Sequence, residues 1–284
     1  MAIISGKAKK KSKASGRAAD IFFTMILIIG IAVMAYPSVS NLWNSHTESR
    51  AISNYDHVLK DTSPEEKEKM WSEAIAYNEA LTNSNARFQE NDSETSRYNE
   101  LLNIGGTGIM GYLKIPKLNI ELPIYHGANE GTLRKGIGHV QGSSLPTGGP
   151  GTHAALSAHT GLPSAKLFSN LDRMEKGDVF IVKSVDHTMT YKVDQIKIVK
   201  PDDVKALNIV PGKDYCTLIT CTPYGVNDHR LLVRGHRTAN IEPEPNINPV
   251  DPVSIAMLVI SGMLLILLVR KEKKKRLKSK KMHV

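Results

Sequence analysis

The chain has 284 residues, with 37 Lys and Arg against 28 Asp and Glu, a formal net charge of +9 and two cysteines. The charge is concentrated at the ends: residues 1–19 carry six basic residues and no acid, residues 270–281 carry nine against one Glu, and residues 21–269 keep 22 basic and 26 acidic residues, a net of −4. A nucleic-acid-binding domain is therefore excluded despite the high isoelectric point, and two cysteines five apart in one run exclude a disulfide framework.

The first patterned stretch is Ile21–Tyr36, sixteen residues without a charge; its counterpart near the other end is Val253–Val269, with seventeen. About 20 apolar residues span a bilayer as a helix, so each run is short and needs little tilt or snorkelling flanks. The basic clusters beside them predict two transmembrane helices with both tails cytoplasmic, against anionic membrane lipid, and the segment between outside the cell membrane. Ala35-Tyr36-Pro37-Ser38 makes a poor cleavage site, which favours an uncleaved anchor over a signal peptide.

After the first anchor, Ile52, Tyr55, Val58 and Leu59 form a weak helical stripe. Ser63-Pro64-Glu65-Glu66 is a capping box with proline at the first helical position, followed by Met70, Ala74, Tyr77 and Leu81 on one face, with Trp71 and Ile75 beside it. Asn83–Glu94 is polar and unpatterned, and is expected as a mobile loop. From Gly105 the pattern becomes β: Met110–Ile115, Ile120–Tyr125, His153–Ala158, Val179–Val185, Thr188–Val193, Ile196–Val199, Tyr215–Cys221 and Leu231–Val233 predict eight short strands, hence a closed barrel or sandwich. Short helices fit near Glu130–Lys135 and Ser164–Leu171. The expected divisions are a basic tail (1–20), an anchor (21–36), a helical and lid-like region (37–104), a β domain (105–240), a Pro-rich tether (241–252), a second anchor (253–269) and a basic tail (270–284).

The chemistry gathers in Tyr215–Arg234. Cys221 ends a strand at the mouth of a turn built from Pro223, Gly225, Asn227 and Asp228, and Arg230 opens the returning strand. A thiol beside a guanidinium is a setting that favours the reactive thiolate. A free cysteine is otherwise a small buried hydrophobe, and Cys216, which faces the other side of the same strand, reads that way. His159 also ends a strand before a turn, and a Cys–His pair can attack a carbonyl and protonate the leaving amine; equally, such a histidine can simply satisfy turn backbone. His153, His229 and His236 read as surface or structural. Arg230 and Arg234 have the same strand parity, so alternation does not choose between them. No spacing supports a metal site, and no cofactor is implied.

Thr217-Leu218-Ile219-Thr220-Cys221 matches the TLxTC signature of sortases, the membrane-anchored cysteine transpeptidases of Gram-positive bacteria. The blocks GYLKIPKLNIELPIYHG, SLPTGGPGTHAALSAHTGLPSAKLF and TCTPYGVNDHRLLVRGHR, together with the second anchor, are similar to class C, the pilin-polymerising sortases. The resemblance runs from about residue 47 to 237. It implies a mainly β fold, an eight-stranded sortase-type barrel preceded by helices. By position, it also implies Cys221 as nucleophile, His159 as acid/base partner and Arg230, rather than Arg234, as the substrate-holding arginine. The implied substrates are pilins or surface proteins with an LPxTG-like signal, and the implied acceptor is a pilin lysine. Water as acceptor, which would make a membrane-anchored cysteine protease, and anchoring to cell wall are the alternative activities; a non-catalytic adhesin is the structural one.

Class C sortases usually carry an Asp-Pro-aromatic lid motif before the barrel. Residues 81–104 hold no Asp-Pro; Phe88 and Asp92 stand in the right region in the wrong order. The resemblance therefore leaves the lid in question, and the polar loop predicts an accessible Cys221.

Overall fold

The Ser63 hydroxyl accepts from the Glu66 backbone N–H at 3.2 Å, so the expected cap forms and helix α2 (Pro64–Thr82) starts at Pro64. The computed structural model describes residues 13–82, 87–88, 92–241 and 252–281. It divides into two compact units, one of Asn41–Asn248 and one of Met1–Ser40 with Pro249–Val284.

Helix α1 (Lys13–Asp61) is continuous through Pro37, so the first apolar run and the Ile52/Tyr55/Leu59 stripe belong to one helix. From Phe22 onward it is long and apolar enough to cross a membrane. The second run lies in helix α5 (Pro252–Lys281), whose apolar part, Ile255–Leu267, is shorter. The expected tether at 241–252 falls almost wholly outside the described residues.

In the larger unit, α2 buries Trp71, Ala74, Asn78 and Leu81, a face rotated slightly from the apolar stripe of the sequence. Asn78 is the reason: its side chain donates to the Leu145 carbonyl at 3.1 Å and to Thr147 Oγ1 at 2.9 Å, and accepts from the Leu145 N–H at 2.7 Å. A buried amide with these partners is as well accommodated as an apolar residue. The expected loop at 83–94 is corrected at its end, where Asp92 begins helix α3 (Asp92–Glu100), whose Tyr98 is buried.

The barrel has eight strands: β1 (Ile109–Ile115), β2 (Ile120–His126), β3 (Ile137–His139), β4 (Thr152–Ser157), β5 (Val179–Ser184), β6 (His187–Val199), β7 (Asp214–Thr222) and β8 (His229–Thr238). They close in the order β1-β2-β3-β4-β7-β8-β6-β5. The number agrees with expectation through two offsetting differences. The runs 188–193 and 196–199 are one strand, β6, interrupted only by a register shift between Val193 and Gln195. β3 was not anticipated, because three residues are too few to show a period. Of the expected helices, Glu130–Leu133 forms as α4, while Ser164–Leu171 does not. Leu167 has φ of 37°, incompatible with a right-handed helix, and only a 3-10 turn at Leu171–Arg173 follows.

Leu113, Ile124, Leu156, Phe180, Tyr191, Leu218 and Val233 belong to the buried core. Phe180 and Tyr191 stack at 5.5 Å, and a Cβ on Gly235 would strike both, so only glycine fits beside the pair. Cys216 is buried with this core, and desolvation drives its thiol pKa well up, keeping it protonated.

Candidate active site

Alternation sorts β7 into two faces. Cys216 and Leu218 belong to the barrel core, Ile219 belongs to a separate apolar cluster on the other face, and Cys221, on the parity of Thr217 and Ile219, is half-buried. β4 lies parallel to β7, with Ala155 opposite Thr217 and Ser157 opposite Ile219. The pairing continues past the last strand residue: the Ala158 N–H donates to the Ile219 carbonyl at 3.1 Å, and Thr220 Oγ1 donates to the Ala158 carbonyl at 2.8 Å. Carrying the register forward by two residues brings His159 level with Cys221, on the same face. On the other side β8 is antiparallel, and Arg230 stands directly opposite Cys221. Cys221 and Arg230 are thus direct neighbours across β7 and β8, strands about 4.8 Å apart, and His159 follows two residues after the end of β4, where that strand's line continues beside β7.

Each residue is held from behind. The His159 carbonyl accepts from the Phe168 N–H at 3.0 Å, and the His159 ring Nε2 lies 3.3 Å from Glu130 Oε2. Arg230 Nη1 donates to the carbonyls of Asn227 and His229 at 3.1 and 3.0 Å, so the β7–β8 turn orients the guanidinium without neutralising it. Arg234 differs: it forms a two-pronged pair with Asp194, at 3.0 and 2.8 Å, and lies 4.1 Å above the Tyr215 ring. The turn after Cys221 also meets the turn after His159, since a Cβ on Gly161 would strike the Tyr224 ring.

His153 stays apart from this group. It is buried, with Nε2 2.7 Å from Thr217 Oγ1 and Nδ1 3.0 Å from the Asn208 carbonyl, and burial lowers its pKa to about 4. It ties the 3-10 turn at Val204–Leu207 and the residue after it to the strand below. Among the described residues no group of three or more His, Cys, Asp or Glu is arranged to hold a metal ion.

Back along the same outer face, Ile219 and Leu232 one rung from Cys221 and Ala155 two rungs from it form an apolar floor, joined by Leu207, and Phe88 packs against it. Gly142 makes room: a Cβ there would strike the Arg87 carbonyl and the Phe88 ring. Arg87 Nη2 donates to Asn208 Oδ1 at 3.1 Å, and its guanidinium lies 5.2 Å from the Phe88 ring centroid. The expectation that the polar stretch 83–94 has little to bury is thus corrected at Phe88. An aromatic residue without an Asp-Pro beside it still finds the floor, because the glycine opposite leaves space. Of the floor residues, Ile219 lies two strand residues, about 7 Å, along β7 from Cys221.

Comparison with known proteins agrees with the geometry. The family model described as Sortase domain matches residues 113–238. Sortase A of Streptococcus agalactiae is 26% identical over 205 residues, 71% of this chain and 77% of its own length. The solved structure of sortase C1 from Streptococcus agalactiae is 50% identical, with a TM-score of 0.66, covering 68% of this chain and all of that one. Clostridium perfringens sortase C, solved with the C-terminal cell wall sorting motif, is 43% identical, with a TM-score of 0.60, covering 68% of this chain and all of that one. Identity at this level across entire solved chains reflects common descent rather than a shared barrel alone, and the chain belongs to the sortase family of cysteine transpeptidases, within its class C.

Proposed function

We propose that this sortase cleaves an LPxTG-like sorting signal between Thr and Gly and joins the acyl fragment to a lysine amine of a pilin subunit, using Cys221, His159 and Arg230. The observation that carries this reading is Cys221 directly opposite Arg230 on β8; His159, two residues past the end of β4 on the other side, supports it by extension of the β4–β7 register. The Cys221 proton passes to His159, and the thiolate attacks the Thr carbonyl carbon. Arg230, whose described partners are backbone carbonyls, meets the developing oxyanion. Collapse breaks the Thr–Gly bond as the imidazolium protonates the leaving amine, and leaves a thioester on Cys221. The incoming amine gives its proton to His159, forms the amide and frees the thiol. A thioester keeps the acyl group activated while an amine competes with water.

The N-terminal helix supports membrane anchoring. The proposed topology is two-pass, with the second apolar run returning the chain and the barrel outside. Tethering at both ends then raises the local concentration of the site where substrates emerge.

The test is trapping. A labelled peptide bearing the sorting signal should form a hydroxylamine-sensitive adduct on Cys221, and candidate pilins should yield a high-mass ladder. Cys221→Ala should abolish both. Cys216→Ala, in the core, should keep turnover while lowering the melting temperature. Equal loss of activity in two folded variants would sink the assignment of the nucleophile.

A further inference from the structure

His159 presents one ring nitrogen to protein rather than to water. Nε2 is buried and makes no well-directed hydrogen bond among the described residues, yet Glu130 Oε2 lies 3.3 Å away. The separation is within hydrogen-bond reach, and a rotation of the imidazole would direct its N–H at the carboxylate. Glu130 is solvent-exposed, and its local segment directs it. It opens α4, where Asn129 Oδ1 accepts from the Thr132 N–H at 3.0 Å, and its other oxygen accepts from Arg134 Nε at 2.9 Å. Arg134 first, and the charge on His159 after it, hold the Glu130 carboxyl below its usual range, so it is ionised at neutral pH. Three residues of one short segment thus aim an anionic oxygen at the back of the imidazole.

A neutral imidazole carries one proton, and the nitrogen that keeps it is the one with an acceptor. We propose that Glu130 is a positioning residue for His159, accepting from Nε2–H and leaving Nδ1 as the nitrogen that exchanges protons with Cys221 and the leaving amine. The proposal rests on the Cys221/His159 reading above and adds the route of the proton. In the first half-reaction the Cys221 proton moves to Nδ1, giving an imidazolium that Glu130 faces with opposite charge. That same proton leaves Nδ1 for the departing amine, and the Nε2 proton stays on Glu130's side throughout. Arg134 acts one step further back, by holding the carboxylate.

The test uses the full-length enzyme with a sorting-signal peptide, comparing wild type, Glu130→Ala, Glu130→Gln and His159→Ala. Glu130→Ala should slow thioester formation by about 10- to 100-fold, the range of one misplaced acid/base group, with KM for the peptide changed less than about twofold. Glu130→Gln keeps an acceptor oxygen and should recover part of that loss. Nitrogen-15 NMR of the imidazole at high pH, assigned by difference from His159→Ala, should show the proton on Nε2 in wild type and a tautomer mixture in Glu130→Ala. Unchanged thioester formation in both Glu130 variants would overturn the proposal, as would a wild-type ring protonated on Nδ1. So would a loss confined to the KM of the acceptor amine, which would make Glu130 an ammonium-docking group instead. Failure of the underlying reading looks different: His159→Ala would still form thioester at the wild-type rate, while the tautomer measurement would stand on its own.

Discussion

Arg230 and Arg234 lie four residues apart on one side of β8, and their surroundings give them different work. Arg234 is neutralised by Asp194 and stacked on Tyr215, a structural pairing. Arg230 stands opposite Cys221, and its hydrogen bonds among the described residues go to backbone carbonyls, which leave its charge unneutralised. Arg230→Ala should lower kcat about 100-fold or more while the protein stays folded. Arg230→Lys should recover little, since an ammonium lacks the planar fork. Arg234→Ala should lower the melting temperature and leave turnover per folded molecule near wild type. Rates that fall for Arg234→Ala and hold for Arg230→Ala would transfer the role. Parity alone was blind to this difference because both arginines obey the same period; the distinguishing residue, Asp194, sits at the register shift of a strand 40 residues earlier. Glu130 was equally hidden. Its closeness to His159 comes from α4 lying beside β3, and β3 is too short to be read from sequence.

At the level of elements, the strand ends bearing Cys221 and His159 were legible from apolar runs stopped by turn residues, and so was the cap of α2. What escaped was anything set by a neighbour: the rotation of α2 toward Asn78, the fusion of two runs into β6, and the seat of Phe88 opposite Gly142. The last has a measurable effect. Phe88 packs on the apolar floor that includes Ile219, two residues before Cys221 on β7. Phe88→Ala should therefore raise the rate at which a small thiol reagent labels Cys221 by about fivefold, the equivalent of about 1 kcal/mol of shielding contact. An unchanged rate would mean that Phe88 packs on the barrel without limiting access to the thiol.

Taken whole, the larger unit buries two neutral histidines, and this gives its stability a direction with pH. Burial lowers both His139 and His153 to about 4. Between pH 6.5 and 4 the unfolded chain binds protons that the folded chain refuses, so stability is present above pH 6.5 and is lost as pH falls toward 4. Glu48 opposes this. Burial raises it to about 7, so it adds stability as pH falls from 7 toward 4.5. Replacing one histidine should tip the balance: His153→Gln should remove about 1 kcal/mol per pH unit, averaged between pH 4.5 and 6.5, from the acid-side slope in urea unfolding. A slope equal to that of wild type would mean that His153 is protonated in the folded protein. The parallel partnership of β4 and β7 has a different kind of consequence. Both strands leave the sheet at the same rim, and the segments after them, 160–170 and 223–228, hold the site residues in place: the Phe168 N–H donates to the His159 carbonyl, and the Asn227 carbonyl accepts from Arg230. Phe168 is itself buried in the core, so an exchange there touches both the barrel and the site. Variation at this rim is thus coupled to the reaction, and a graft from a relative has to carry both segments with their supports.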